Sequence, residues 1–270
     1  MWCLLSIMRK SSSRRESLYL LDLLERKNTM NWNIPTLKGM AKNALTGSYW
    51  KSVLVGFLLM LCTATASSGT ARGAEQFESE TDIELFEHLK NNPYFGVIAM
   101  VIAAVALLAG IAGLALRILV MNPLEIGIRR YFMEDLYAPC ELDRLTYGFK
   151  MNYANGIITM LLRTVFTALW TLLLIIPGII KSYEYRMIPY ILAENPDLEW
   201  REVFSISRRM MDGEKWNAFI LDLSFLGWAF LSAITLGLVG IFYVNPYKGL
   251  TDAALYMALR EKISLDPQGV

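Results

Sequence analysis

Residues 94–116 constrain the fold more than any other part of this chain. They form a run of 23 residues without a charged side chain, and about 20 apolar residues in a helix are enough to cross the hydrocarbon core of a bilayer. The whole chain of 270 residues is apolar, with 54% hydrophobic residues, 19% charged residues and a mean hydropathy of +0.36. In a soluble domain about a quarter of the residues are charged. The sequence therefore predicts an all-α, polytopic membrane protein.

Other apolar segments lie on both sides of this run, and they set the number of predicted membrane segments. Residues 179–194 are ambiguous because Lys181, Glu184 and Arg186 are unfavourable in the middle of a bilayer. We predict a transmembrane helical bundle of about six membrane segments, including two hairpins. The alternative is four spans, with residues 179–194 and 249–260 lying in the membrane interface. The six segments are residues 52–66, 94–116, 156–177, 179–194, 216–234 and 241–260.

The distribution of charge predicts the orientation. Residues 67–93 carry six acidic side chains against two basic ones, which places this loop outside, because Lys and Arg are retained in cytoplasmic loops. The loop at residues 117–155 contains five basic side chains and is predicted inside, with its aromatic residues in an interfacial belt. Both termini are then cytoplasmic, and we expect the protein to lie in the cell membrane.

Two helix breaks are predicted to turn the chain back into the membrane. Pro177 and Gly178 form the first, and a turn at residues 235–240 followed by Pro246 forms the second. Proline lacks a backbone N–H and disfavours a helical residue before it, so it marks helix boundaries. With the first hairpin in place, the basic residues at 201–215 face the cytoplasm, as the charge rule requires.

Residues 1–29 differ in composition from the chain that follows. Basic residues follow an apolar start, and no uninterrupted apolar core is present, which makes this stretch a poor signal peptide. Two interpretations stay open: a short cytoplasmic amphipathic helix, or a stretch that is not natively translated, with Met30 as the start. Residues 30–262 are predicted to form a single integral membrane domain, and residues 263–270 a cytoplasmic tail.

The search for catalytic and metal-binding patterns is negative. The chain lacks the HExxH, GxSxG, Walker and dinucleotide-binding motifs. Its one histidine, His88, lies in the acidic loop, and Cys3, Cys62 and Cys140 have no metal or redox spacing. A net charge of +1 does not suit a nucleic-acid binder. We expect no enzymatic activity, no cofactor, no metal and no nucleic-acid partner.

Charged residues within the apolar segments are the candidate functional positions. Arg163 and Asp222 have similar predicted depths, and pairing would remove the unfavourable free energy of two isolated charges in hydrocarbon. Glu184 and Arg186 form a second polar cluster with neighbouring tyrosines. Each set has two interpretations. It is either a polar site for an ion, proton or anionic headgroup, or a structural feature. For the first set that feature is a lock between helices or the snorkelling of Arg163 to the interface, and for the second it is an interfacial belt.

Residues 197–212 are predicted to form an amphipathic helix on the inner membrane surface. Their apolar side chains recur at helical spacing, and Arg201, Arg208 and Arg209 lie around them. Such a helix binds the anionic headgroups of a cytoplasmic leaflet. The expected partner is therefore the lipid bilayer, and the pattern names no protein partner.

Several motifs, in order along the chain, resemble one family of bacterial membrane proteins. They are NALTGSYWKSVLVGFLL at 43–59, NPLEIGIRRYF at 122–132, IIPGII at 175–180, LDLSFLGW at 221–228 and TLGLVGIFYVNPY at 235–247. Over residues 35–262 the chain resembles the family called domain of unknown function 975. The resemblance implies an integral membrane protein and transfers no catalytic residue. The chain is more distantly similar to the membrane domains attached to some glycerophosphodiester phosphodiesterases.

Two functional classes fit these patterns. In the first, the protein is non-enzymatic and organises the membrane or assists other membrane proteins, and the intramembrane charges are structural. In the second, it transports a small solute, an ion or a lipid, and the same charges form the transport site. We favour the first class because we favour the structural interpretation of the intramembrane charges.

Overall fold

The computed structural model describes residues 32–67 and 94–264, and every regular element in these two stretches is helical. The predicted all-α class is confirmed. Residues 1–29, His88 and most of the acidic loop lie outside the described residues. In chain order the α-helices are α1 (Ile34–Ser67), α2 (Phe95–Leu116), α3 (Asn122–Asp135), α4 (Tyr147–Lys150), α5 (Tyr153–Leu173), α6 (Ile175–Glu184), α7 (Ile188–Glu194), α8 (Trp200–Met211), α9 (Lys215–Leu223), α10 (Leu226–Ile234) and α11 (Asn245–Ser264).

Four helical segments in the described part of the chain are long and apolar enough to cross a membrane. They are Ile34–Thr63, Ala99–Asp135, Tyr153–Leu173 and Lys215–Ile234. The coarse prediction of helices able to span a membrane agrees with these lengths and compositions, while the six-segment count is not confirmed.

The two remaining predicted segments, residues 179–194 and 241–260, are not among these four apolar helical segments. Residues 179–194 divide into the short helices α6 and α7, and residues 241–260 lie mostly in α11, whose mean hydropathy is low because charged and polar residues are frequent. Both α7 and α11 are largely buried against α3. The four candidate spans match the count of the four-span alternative, and the placement of residues 179–194 and 249–260 in the membrane interface stays a prediction.

The first hairpin turns three residues before the predicted break. Leu174 has an extended backbone and separates α5 from α6, which pack against each other. Pro177 lies in the first turn of α6, where a helix does not need its N–H. At Gly178 a Cβ atom would lie 2.5 Å from the Thr171 hydroxyl oxygen. The Pro177-Gly178 pair therefore does not break the helix; Gly178 lets the two arms approach closely.

Two Asn-Pro pairs share a local structure that the sequence did not predict. A π-helical turn precedes each one, Arg117–Met121 before α3 and Gly240–Val244 before α11. Pro246 therefore lies in the first turn of α11 and marks a change of helix type, not a break, because the widened turn accommodates a residue without an N–H. The turn predicted at residues 235–240 is present but shorter, at residues 235–237, with Leu236 and Gly237 at positive φ.

The core of the bundle lies among α1, α3, α7 and α11. Tyr131 and Phe132 on α3 are fully buried, although the sequence predicted an interfacial belt for the aromatic residues of this region. For these two residues the prediction was wrong because residues 122–135 form a helix, not a loop, and one face of that helix packs inward. The described apolar side chains of α2 are exposed along its length, as expected of a helix that contacts lipid.

Candidate functional site

The first ion-pair cluster is centred on Glu125, in the first turn of α3. Its Oε1 lies 3.3 Å from Arg129 Nη2, one turn later, and 3.4 Å from Arg163 Nη1 on α5. Arg129 also donates a hydrogen bond to the hydroxyl of Tyr190 on α7, at 3.0 Å. Three helices are thus connected through the Glu125–Arg129 pair.

The predicted pair between Arg163 and Asp222 does not form. Arg163 contacts Glu125, whereas Asp222 on α9 contacts Arg186 and Lys248. The prediction considered only charges inside the predicted spans, and Glu125 had been assigned to a loop. Arg163 therefore pairs with Glu125, which the prediction from membrane depth did not include.

The second ion-pair cluster is centred on Arg186, in the turn between α6 and α7. Its guanidinium donates two hydrogen bonds to Asp222, at 2.8 and 3.0 Å, and one to Asp252 on α11, at 2.7 Å. Asp222 also accepts hydrogen bonds from Lys248 Nζ, at 2.6 Å, and from the Tyr183 hydroxyl, at 2.9 Å. The two-pronged contact between arginine and carboxylate fixes geometry as well as charge.

Tyr190 lies between the two clusters. Its hydroxyl accepts the hydrogen bond from Arg129, and Arg186 and Asp252 of the second cluster are within electrostatic range of it. Its ring stacks on that of Tyr256 with centroids 5.2 Å apart. The two clusters therefore form one continuous polar layer through the bundle.

A third cluster surrounds Glu184, the last residue of α6. Its carboxylate oxygens lie 2.8 Å from Lys181 Nζ, 3.0 Å from Arg208 Nε and 2.9 Å from Lys215 Nζ. The acid is buried, whereas the Arg208 side chain is 57% exposed. Three basic side chains share one carboxylate, so positive charge is in excess here. Glu184 and Arg186, which the sequence placed together, belong to different clusters.

The predicted amphipathic helix is present as α8, but its apolar face does not point away from the protein. Val203, Phe204 and Met210 are buried, and α8 packs against α5, α6, α7 and α11. Arg201 and Arg209 lie on the exposed face. The apolar face of α8 therefore packs on the protein, while its basic side remains accessible; the placement of this helix on the inner membrane surface stays a prediction.

Sequence reasoning missed Glu125, Arg129, Lys248 and Asp252. A signal was present, because each acid–base pair has i, i+4 spacing and starts three residues after the asparagine of an Asn-Pro pair. That spacing places both side chains on one face of a helix. It was overlooked for the first pair because residues 117–155 were predicted to be a loop.

No clustered metal site was found in the described stretches. Within residues 32–67 and 94–264, no three or more His, Cys, Asp or Glu side chains come together as a metal-binding group. A cavity between Ile126, Tyr147 and Leu192 has a volume of about 10 Å³, enough for about one water molecule. This cavity is too small for an organic ligand.

A comparison with protein families matches residues 146–263 to the model described as a protein of unknown function, DUF975. This part of the chain is similar to the DUF975 family. The resemblance seen in the sequence is thereby confirmed, although the match begins after the motifs at 43–59 and 122–132. Searches among curated proteins and among solved structures found no significant match.

The DUF975 segment contains most of the candidate site. Arg163, Arg186, Asp222 and the charged pair on α11 lie inside it, whereas the Glu125–Arg129 pair precedes it. A family of unknown function assigns no biochemical role to these residues. The similarity to the membrane domains of glycerophosphodiester phosphodiesterases stays a prediction.

Proposed function

We propose that this protein is a non-enzymatic, membrane-organising or accessory protein of a bacterial cell membrane. The four long apolar helical segments support integration into a bilayer. The observation that carries the functional part is that the deep charges bind one another. Binding and catalytic sites present polar groups to a substrate, whereas the groups of the two central clusters are engaged in ion pairs within the protein.

Mutual pairing supports a structural role for these charges. Removing one partner of a buried ion pair is strongly destabilising, because the other charge is left without a counter-ion. Glu125 connects α3 to α5, and Arg186 connects the α6–α7 turn to α9 and α11. The charges therefore determine how these helices pack.

The test compares Asp222→Asn with Asp143→Asn in purified protein reconstituted in liposomes. Asp143 is a suitable control because its side chain is 62% exposed and lies outside the central clusters. We expect Asp222→Asn to lower the Tm and Asp143→Asn to leave it unchanged. We also expect wild-type liposomes to pass Na⁺, K⁺ and H⁺ no faster than protein-free liposomes. An Asp222→Asn protein as stable as the wild type would contradict the structural role.

A transporter of small solutes, ions or lipids is the second candidate function. The exposure of Asp222 and Lys248 favours it, because these side chains are 28% and 38% exposed and form the outer part of the second cluster. A passing ion would exchange with this outermost pair. In that case the wild type shows a flux in the same liposomes, and Asp222→Asn stays folded but loses the flux.

The Glu184 cluster supports a contact with anionic lipid headgroups on the cytoplasmic leaflet. Its excess positive charge lies beside Trp216, which is exposed and suited to a membrane interface. We expect phosphatidylglycerol nanodiscs to raise the Tm relative to phosphatidylcholine nanodiscs. The double variant Arg208→Gln/Lys215→Gln should lose this difference, and Arg144→Gln, which alters an exposed pair with Glu134, should keep it. An unchanged lipid response in the double variant would refute the contact.

The proposed orientation places the C-terminus and α8 in the cytoplasm. Ser205 is exposed on α8, and Leu236 is 94% exposed in the turn after α10. In a cysteine-free background, an impermeant thiol reagent should label Leu236→Cys on intact cells and should label Ser205→Cys only after lysis. The reverse pattern would invert the topology.

A further inference from the structure

A buried aspartate ends α3, at the opposite end from Glu125, and takes no part in the three ion-pair clusters. Asp135 is 3% exposed. The basic groups near it are engaged elsewhere: Arg130 and Arg144 contact Glu134, and Lys51 donates to the carbonyl oxygen of Cys140. Within the described stretches, no Lys or Arg lies within ion-pair distance of Asp135. A buried carboxylate without a counter-ion is strongly unfavourable.

Three oxygen atoms form a small triangle at this position. Asp135 Oδ2 lies 2.5 Å from Ser48 Oγ and 2.9 Å from Ser52 Oγ, and the two serine oxygens are 3.1 Å apart. All three residues are buried. The two hydroxyl groups can donate only one hydrogen each, and both donate to Oδ2. The lone pairs of both hydroxyl oxygens can therefore still accept.

Two more oxygen atoms in this region have no hydrogen-bond partner. They are Asp135 Oδ1 and the hydroxyl oxygen of Tyr131, both buried. Tyr131 precedes Asp135 by four residues, so the two side chains share a face of α3, and the phenol lies close to Ser48 and Ser52. Buried polar atoms nearly always have a partner. Asp135 Oδ1 and the Tyr131 hydroxyl oxygen are therefore open to a bound group.

The backbone also favours positive charge here. Asp135 is the last residue of α3, and the C-terminus of a helix carries partial negative charge. Ser48 has non-helical backbone angles, φ −136° and ψ 30°, which kink α1 beside the carboxylate. Interrupted helices that offer carboxylate, hydroxyl and carbonyl oxygens coordinate Na⁺ in membrane proteins.

We propose that Asp135, Ser48, Ser52 and Tyr131 bind a small monovalent cation, with Na⁺ as the best match. The oxygen donors suit a hard cation, and the single carboxylate balances one positive charge. A divalent ion would call for more acidic ligands, and no such acidic group comes together in the described stretches. This site does not depend on the proposed function, since a bound cation can stabilise either a structural protein or a transporter.

The test is the Na⁺ dependence of the Tm of the purified full chain, with choline chloride replacing NaCl at constant ionic strength. Ligand that binds only the folded state raises its stability, so about 300 mM NaCl should raise the wild-type Tm by about 4 °C or more if the Kd is about 10 mM. Asp135→Asn should lose this shift. Asp143→Asn, the exposed control, should retain it. In a direct assay, ²²Na⁺ should bind to the wild type and to Asp143→Asn but not to Asp135→Asn.

Three results would overturn the proposal. They are equal wild-type Tm values in NaCl and choline chloride, an Asp135→Asn protein that keeps the full Na⁺ shift, and ²²Na⁺ binding that is unaffected by the substitution. If Asp135→Asn does not fold, Ser52→Ala retains the carboxylate and removes one ligand. We then expect half-maximal stabilisation at about tenfold higher Na⁺ than in the wild type, and an unchanged midpoint would equally refute the site.

Discussion

Glu125 and Lys248 occupy equivalent positions in two helices of similar design, and they carry opposite charges. Each lies three residues after the asparagine of an Asn-Pro pair that follows a π-helical turn. Each also forms an ion pair with the residue four positions later, Arg129 in α3 and Asp252 in α11. Because α3 and α11 pack against each other, the two pairs of reversed polarity contribute to the same polar layer.

We predict that Glu125→Gln destabilises the protein strongly, because it removes the one carboxylate that Arg129 and Arg163 share. The free energy of unfolding should fall by about 3 kcal/mol. Adding Arg163→Gln removes one of the two orphaned charges, so the double variant should lose less than the sum of the single losses. Unfolding in a series of mixed detergents measures the free energy of unfolding of the wild type, Glu125→Gln, Arg163→Gln and the double variant. Strict additivity would show that Glu125 and Arg163 are not coupled.

Arg186 should matter more to stability than Lys248, although both contact Asp222. Arg186 is 15% exposed and binds two aspartates, so Arg186→Met leaves Asp252 and Asp222 without their main partner and should lower the free energy of unfolding by about 3 kcal/mol or more. Lys248→Met leaves Arg186 in place, and an exposed pair contributes at most about 1 kcal/mol. The Tm values of Arg186→Met and Lys248→Met, measured side by side, show which residue contributes more to stability. A larger loss from Lys248→Met would contradict the central role of Arg186.

The α5–α6 hairpin should not tolerate a side chain at Gly178. A Cβ atom there would lie 2.5 Å from Thr171 Oγ1 and 2.6 Å from Thr171 Cα, and the backbone contact cannot be relieved by a rotamer change. Gly178→Ala should cost about 1–3 kcal/mol. Gly110→Ala on α2 is the matched control, since its Cβ meets no atom within 4 Å, and it should be neutral or slightly stabilising. Equal Tm values for the two variants would rule out the close approach of α5 and α6.

Acid should remove the stabilisation that Glu214 provides. Burial alone would raise the pKa of the Glu214 carboxyl group, but hydrogen bonds from Lys262 and Asn217 hold this pKa below its ordinary value. A lowered folded-state pKa means that the contribution is complete above the unfolded pKa of about 4.3 and disappears as the pH falls through the folded value.

Glu214→Gln should therefore lower the Tm at pH 7, and its difference from the wild type should shrink below about pH 4. Thermal unfolding at both pH values measures this. Glu199→Gln serves as a control because Glu199 is exposed and lies 3.8 Å from Arg201, so its small effect should not depend on pH. A Tm difference between the wild type and Glu214→Gln that grows in acid would contradict the predicted sign of the Glu214 contribution.

Apolar runs and helix-terminating patterns made the helices predictable. The uncharged residues 94–116 and the turn at 235–240 depend on local properties of the chain, namely transfer to hydrocarbon and the positive φ that Gly237 adopts readily. The helical part of residues 197–212 was equally predictable from its spacing. These features involve neighbours in sequence, so one sequence is sufficient to derive them.

The partners of the charged residues were decided only by the tertiary structure. Sequence alone determined that Arg163, Glu184, Arg186 and Asp222 are charges in an apolar chain and therefore need partners. It did not determine that Arg163 binds Glu125, because that contact depends on how α3 and α5 pack. Ion pairs act between groups brought together from distant parts of the chain, and the apolar periodicity that defines a helix contains no information about which charged face it will meet.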